Sequence, residues 1–153
     1  MDEPAVPPVA TFLGATGEMA ERMARHDWST TSLGAPEQWP LSLKTAVRIV
    51  LRSRFAMWLA WGDDLIFFCN DAYLPTLGLK KEWALGAPAR SVWSEVWPEV
   101  KLRVESVIEH GISTWDDSLL LYLQRSGVRE ETYHTFSYSP LSGDDGNTCG
   151  LLC

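Results

Sequence analysis

Cysteine is scarce, with three residues at Cys69, Cys149 and Cys153, and no two of them sit at paired spacing. An odd count without a framework argues against a disulfide scaffold and for reduced thiols in a cytoplasmic compartment. There is no metal knuckle and no glycine-rich phosphate loop. Basic charge is also short: 13 Lys and Arg stand against 20 Asp and Glu, a formal net charge of -7. That balance argues against nucleic acid, which needs a basic surface or stripe, and disfavours acidic partners. Long apolar runs are missing too. No uninterrupted 18-residue apolar stretch occurs, and MDEPAVPPVATF at the start carries acids and prolines where a signal peptide needs a basic opening and an apolar run. The expectation is a cytoplasmic chain that does not insert into a membrane by its own residues.

What is present fits one sizeable core: 153 residues, 46% hydrophobic and 22% charged. The eight tryptophans are several times the usual share, and each must bury a large ring while finding a partner for its indole N–H. Residues 1–15, with Pro4, Pro7 and Pro8, read as a loose leader. Residues 16–54 read as a helical flank. In it Gly17–Asp27 places Met19 and Met23 on one helical face, and Ser42 is set to cap a second helix over 43–53 with Leu43, Val47, Val50 and Leu51 together. Lys44, Arg48 and Arg52 line another, solvated face.

Residues 55–153 change pattern. Phe55–Trp61 and Leu65–Cys69 flank a Gly62-Asp63-Asp64 turn and read as a hairpin. Asp71 is placed to cap a short helix over 72–77 that Gly78 closes, and further short helices fit 81–85 and 89–93. A longer helix fits 97–110, stopped by Gly111. Strands follow over 114–124 and 131–138, and a Gly143-Asp144-Asp145-Gly146 turn leads to a last strand from Thr148.

This order of elements, with Trp61-Gly62, Asn70-Asp71-Ala72-Tyr73, Leu77-Gly78, Leu85-Gly86, Phe136-Ser137-Tyr138-Ser139-Pro140-Leu141, Gly146 and Gly150, resembles the PAS domain near the N-terminus of many bacterial sensor histidine kinases. The upstream HDWSTTSLG and WPLSLKTAV are similar to the flank that often precedes it, so the resemblance spans about residues 17–153. It implies an α+β fold: a five-stranded antiparallel sheet flanked by short helices and one longer helix, with an N-terminal helical extension. It also implies two-component signalling, in which a ligand or partner alters the sheet and a helix after the last strand relays the change to an output kinase domain in a phosphorelay. The chain is read as ending at Cys153 inside that last strand, a piece without its output domain and without catalysis of its own.

Two cofactors of the fold are argued against. The stretch Leu85–Arg90, comparable to the cysteine motif of covalent flavin photosensors, has no cysteine. The middle of the long helix, which supplies the axial histidine of haem sensors, holds Leu102, Arg103 and Val104. His26, His110 and His134 read as structural, with no other metal-ligand type close in sequence to any of them. The pairs Asp116-Asp117 and Asp63-Asp64 cannot flank one substrate atom, because adjacent strand residues face opposite ways, and Cys69 reads as a small buried hydrophobe.

A pocket for a small apolar or aromatic ligand is the remaining candidate. If one face of the first hairpin points inward, Met57, Leu59 and Trp61 line it with Ile66 and Phe68, facing Tyr73, Leu77, Trp93, Phe136 and Tyr138. Tyr73 and Tyr138 are its polar handles. The same side chains can equally pack solid. Three readings follow: a sensory module, homodimeric through Met19 and Met23 of the N-terminal helix; a ligand-free protein-interaction or dimerisation module; and a small enzyme with an unrecognised site.

Overall fold

The structure, a computed structural model, describes residues 11–153. The expected leader divides accordingly. Residues 1–10 lie outside the described residues, while Phe12 and Ala15 exchange backbone hydrogen bonds of 3.0 and 2.9 Å, and the Phe12 ring meets Trp39 edge-on at 5.7 Å. Phe12 supplies the apolar surface that docks this turn.

Two helices precede the sheet, α1 (Glu18–Arg25) and α2 (Leu41–Arg52). Neither has a side-chain cap of its own, because Gly17 and Pro40 stand at the N-cap positions. Carboxylates from the rest of the fold do the capping. Asp71 accepts from the Glu18 and Met19 N–H groups at 3.1 and 2.8 Å, and Asp144 accepts from the Ser42 N–H at 2.9 Å. The cap expected from Ser42 and the local cap expected from Asp71 are therefore both corrected: orphan amide donors at a helix start accept any oxygen that the fold delivers, near or far in sequence. Asn70 caps the turn after the hairpin instead, accepting from the Tyr73 N–H at 3.2 Å. The buried stripe of α1 includes Met19 and Met23, 2% and 0% exposed. The apolar face that the sequence offered for homodimerisation is thus consumed inside the protein, which corrects that expectation.

The hairpin is β1 (Trp58–Trp61) and β2 (Ile66–Cys69), followed by the short helices α3 (Leu74–Leu77) and α4 (Ala89–Val92) and the long α5 (Trp97–His110). Val100, Val104 and Val107 give α5 its buried stripe, and Gly111 ends it in the left-handed conformation at φ 64°. Three strands complete the chain, β3 (Thr114–Leu123), β4 (Glu130–Ser142) and β5 (Thr148–Leu152). All pair antiparallel in the order β2-β1-β5-β4-β3, so the last strand lies between the first and the fourth. That insertion requires Gly150. A Cβ there would collide with the Ala60 carbonyl of β1.

The sheet separates two layers. Trp58, Ala60 and Phe67 point toward α3–α5, while Leu59, Trp61 and Phe68 point the other way, where Phe68 stacks on Trp28 at 5.1 Å and meets Trp39 edge-on at 5.5 Å beneath the N-terminal helices. Asn70, 1% exposed, ties these layers together. Its Nδ2 donates to the Phe55, Val50 and Ser53 carbonyls at 2.7, 3.1 and 3.3 Å, and its Oδ1 accepts from the Met57 N–H at 3.1 Å. Removing one buried side chain that satisfies this many backbone groups leaves several of them unpaired. Asn70→Ala is expected to cost about 3 kcal/mol and Asp71→Ala about 1 kcal/mol in urea unfolding; equal costs for the two would contradict this division of roles.

Candidate functional site

Between the sheet and α3–α5 lies a cavity of about 180 Å³. Its floor comes from alternate residues of β3 and β4: the register pairs Leu121 with Thr132 and Asp116 with Phe136, which turns Leu121, Phe136 and Tyr138 to this side. Trp58 enters from β1, held by stacking on Phe67 at 5.4 Å and an edge contact with Tyr138 at 5.7 Å. Tyr73, Trp93 and Val100 form the helical wall.

Of the residues expected to line a pocket, Tyr73, Trp93, Phe136 and Tyr138 come together around this cavity. Met57, Leu59, Trp61, Ile66, Phe68 and Leu77 do not line it. The hairpin members of that set do share a face, as the pairings Leu59 with Phe68 and Trp61 with Ile66 demand, but it is the face covered by the N-terminal helices. Both strands are buried on both faces, so no polar alternation marks the side that turns inward. Sequence reasoning missed Trp58, Val100, Leu121 and His134. For Val100 the helical period put it on the apolar stripe, which was the available signal.

Polar groups in the cavity are few and uncharged. Burial, reinforced by the neighbouring Cys153, pushes the Tyr73 and Tyr138 phenols up from their ordinary range, against the opposing pull of the Trp93 N–H at Tyr73 and of the Arg103 charge at Tyr138. Burial likewise pushes the Cys153 thiol up to about 12. His134 is held below its usual value, first by burial and then by the Arg125 charge, and its Nε2 lies 2.8 Å from the Thr132 hydroxyl. Trp93 is 5% exposed, and its buried indole Nε1 makes no well-aligned hydrogen bond but stands close enough to the Tyr73 phenol to oppose that group's rise. By contrast the Trp28 and Trp39 indoles donate to the Met23 and Gly34 carbonyls at 2.8 and 3.0 Å. The Lys80 ammonium stands 5.4 Å from the centre of the Trp93 ring and pairs with Glu95 at 3.2 Å, and Glu95 accepts from the Gln124 N–H at 2.8 Å. Arg103 of α5 grips Asp116 of β3 through two bonds of 2.7 and 2.8 Å, which couples the helix to the sheet beside Tyr138.

Neither a protein-family model nor a curated protein matches the sequence. Solved structures do. An RNA-binding light-oxygen-voltage receptor superposes with a TM-score of 0.53 at 18% identity, over 77% of this chain and 34% of that one. The PAS domain of a protein from Colwellia psychrerythraea superposes at 0.52 and 15% identity, over 72% of this chain and 91% of that domain. The chain has the PAS fold. A variant of RsLOV is similar at 0.55 and 16% identity, over 72% and 64%. This chain spans about a third of the RNA-binding receptor's length. Among the described residues no helix is long and apolar enough to cross a membrane, and no group of three His, Cys, Asp or Glu is placed to hold a metal. Asp116 is engaged by Arg103, and Asp117 turns outward to Thr135.

The two histidines held low make a pH dependence. Burial keeps both His134 and His26 below 6.5, although Asp27 opposes this at His26. The unfolded chain therefore binds protons first as pH falls, so stability declines below about pH 6.5 toward the folded-state values. Urea midpoints from pH 7.5 to 5 are expected to fall, and His134→Gln is expected to flatten part of that slope; an unchanged slope would remove His134 from the effect.

Proposed function

We propose that this PAS domain is the sensory module of a larger cytoplasmic signalling protein. A small molecule occupying the cavity would bias the sheet, and an output domain, a histidine kinase by the resemblance of the flank and core motifs, would read the change. In this reading residues 16–54 are a docked flank and 55–153 the sensory core. The observation that carries it is the cavity itself, walled by aromatic rings that include the Tyr73 and Tyr138 phenols. Occupancy can shift such a module only as far as the occupant prefers one packing state over the other. The Arg103–Asp116 clamp offers a route, since it joins the cavity helix α5 to β3. The RNA binding of the receptor named above is not carried over, because the net charge of -7 opposes it.

A second reading, an interaction module, is favoured by one feature. The N-terminal helices cover the outer sheet face only over β1 and β2. Over β3 and β4 it presents Trp115, 71% exposed, and Tyr133, 62% exposed, with Leu120 directly opposite Tyr133 and Tyr122 beyond that pair. Self-association there predicts that Trp115→Glu with Tyr133→Glu abolishes any dimer seen by sedimentation and leaves the fold intact.

The sensory reading is tested by filling the cavity. Val100→Phe adds a ring that the void can absorb, at a cost of about 1–3 kcal/mol. Small aromatic fragments detected by ligand-observed NMR on the wild-type protein are expected to compete for one site and to lose binding in Val100→Phe; hits that bind both proteins equally would place them elsewhere.

A further inference from the structure

We infer that the cavity takes an uncharged, single-ring aromatic compound bearing a carbonyl or similar acceptor, and that the adjoining Tyr73 and Trp93 donors of the helical wall serve that acceptor. This rests on the reading above that the cavity is a ligand site. Size comes first. A void of about 180 Å³ is below the roughly 300–1,000 Å³ of sites for drug-sized ligands and close to the roughly 150 Å³ that accommodates one benzene ring. One ring with a short substituent fills it, and a fused three-ring system does not.

Charge comes second. No Asp, Glu, Lys or Arg lines the cavity. The ionisable groups that do, Tyr73, Tyr138, His134 and Cys153, are all shifted toward their neutral forms. The nearby Arg103 and Asp116 satisfy each other in a two-bond pair and have no net charge to offer. An ionised ligand would leave water for a site with no counter-charge, and that desolvation is costly. A neutral ligand avoids it.

Donor chemistry comes third. Trp93 Nε1 is an indole donor with no acceptor capacity, and the phenols of Tyr73 and Tyr138 remain protonated donors at neutral pH. The Trp93 N–H makes no well-aligned hydrogen bond and stands near the Tyr73 phenol, so an acceptor brought to this wall would complete its hydrogen bonding. The T-shaped contact of Tyr73 and Trp93, with centroids 6.3 Å apart, sets two of the donors side by side on one wall. The opposite surface sets Leu121 and Phe136 beside the Tyr138 phenol, His134 and Thr135. The ligand implied lays its ring against Leu121 and Phe136 and has donors within reach on both walls.

Isothermal titration of the protein at pH 7 with acetophenone, ethylbenzene and benzoate separates these terms, since the three share a ring and differ in acceptor and charge. Acetophenone is expected to bind most tightly, ethylbenzene about tenfold more weakly for want of the acceptor, and benzoate not measurably. Trp93→Phe, which keeps a ring beside Lys80, is expected to weaken acetophenone about tenfold and to leave ethylbenzene unchanged. Ethylbenzene binding as tightly as acetophenone, or benzoate binding best, would overturn the inferred ligand class while the cavity remains a ligand site. Absence of binding by all three would overturn both. The wild-type series alone decides the matter should Trp93→Phe fail to fold.

Discussion

The buried amide of Asn70 is the constraint on which the rest of the structure depends. It stands just after β2, and its one side chain bonds backbone groups at the end of α2, in the approach to β1 and in the helical turn that follows the hairpin. A side chain with both donors and acceptors is required, because the surrounding backbone presents free carbonyls on one side and free N–H groups on the other. Fixing those ends fixes the hairpin's rotation about its own axis, and in strands with a two-residue period that rotation decides every side chain's face.

From that rotation follow two aromatic groups with different duties. On the N-terminal side Phe68, Trp28 and Trp39 interlock with ring centroids 4.9 to 5.5 Å apart, and both indoles donate to backbone carbonyls. His26 Nε2 beside Trp28 lacks a partner, but both of these tryptophan N–H groups are met, and the work is adhesion of the helical flank. On the other side Trp58, Phe67, Tyr73, Phe136 and Tyr138 pack with centroids 4.9 to 6.2 Å apart around a cavity of about 180 Å³, and the Trp93 N–H makes no well-aligned hydrogen bond. An aromatic-walled void beside an ill-paired donor is what a ligand site looks like before it is occupied.

The sequence made the element order legible, and the reasons are local. Val100, Val104 and Val107 repeat at helical spacing, Gly111 stops the helix, and the acidic turn around Gly146 joins two strands. Even the same-face grouping of Leu59, Trp61, Ile66 and Phe68 followed from strand period. What could not be read was which layer that face meets, since strands buried on both sides carry no polar alternation, and half of the expected site residues fell on the wrong side for that reason. The capping roles of Asp71 and Asp144 were hidden for a related cause. A carboxylate that caps a helix 53 or 102 residues away leaves no mark in the spacing around it.

The central claim is that the hairpin divides the tryptophans into a sealed set and a ligand-facing set. The indole N–H resonances of 15N-labelled protein report each one separately, before and after saturation with acetophenone. The account predicts that the Trp58 and Trp93 signals move while those of Trp28 and Trp39 stay in place. Shifts of Trp28 and Trp39 matching those of Trp93 would contradict it.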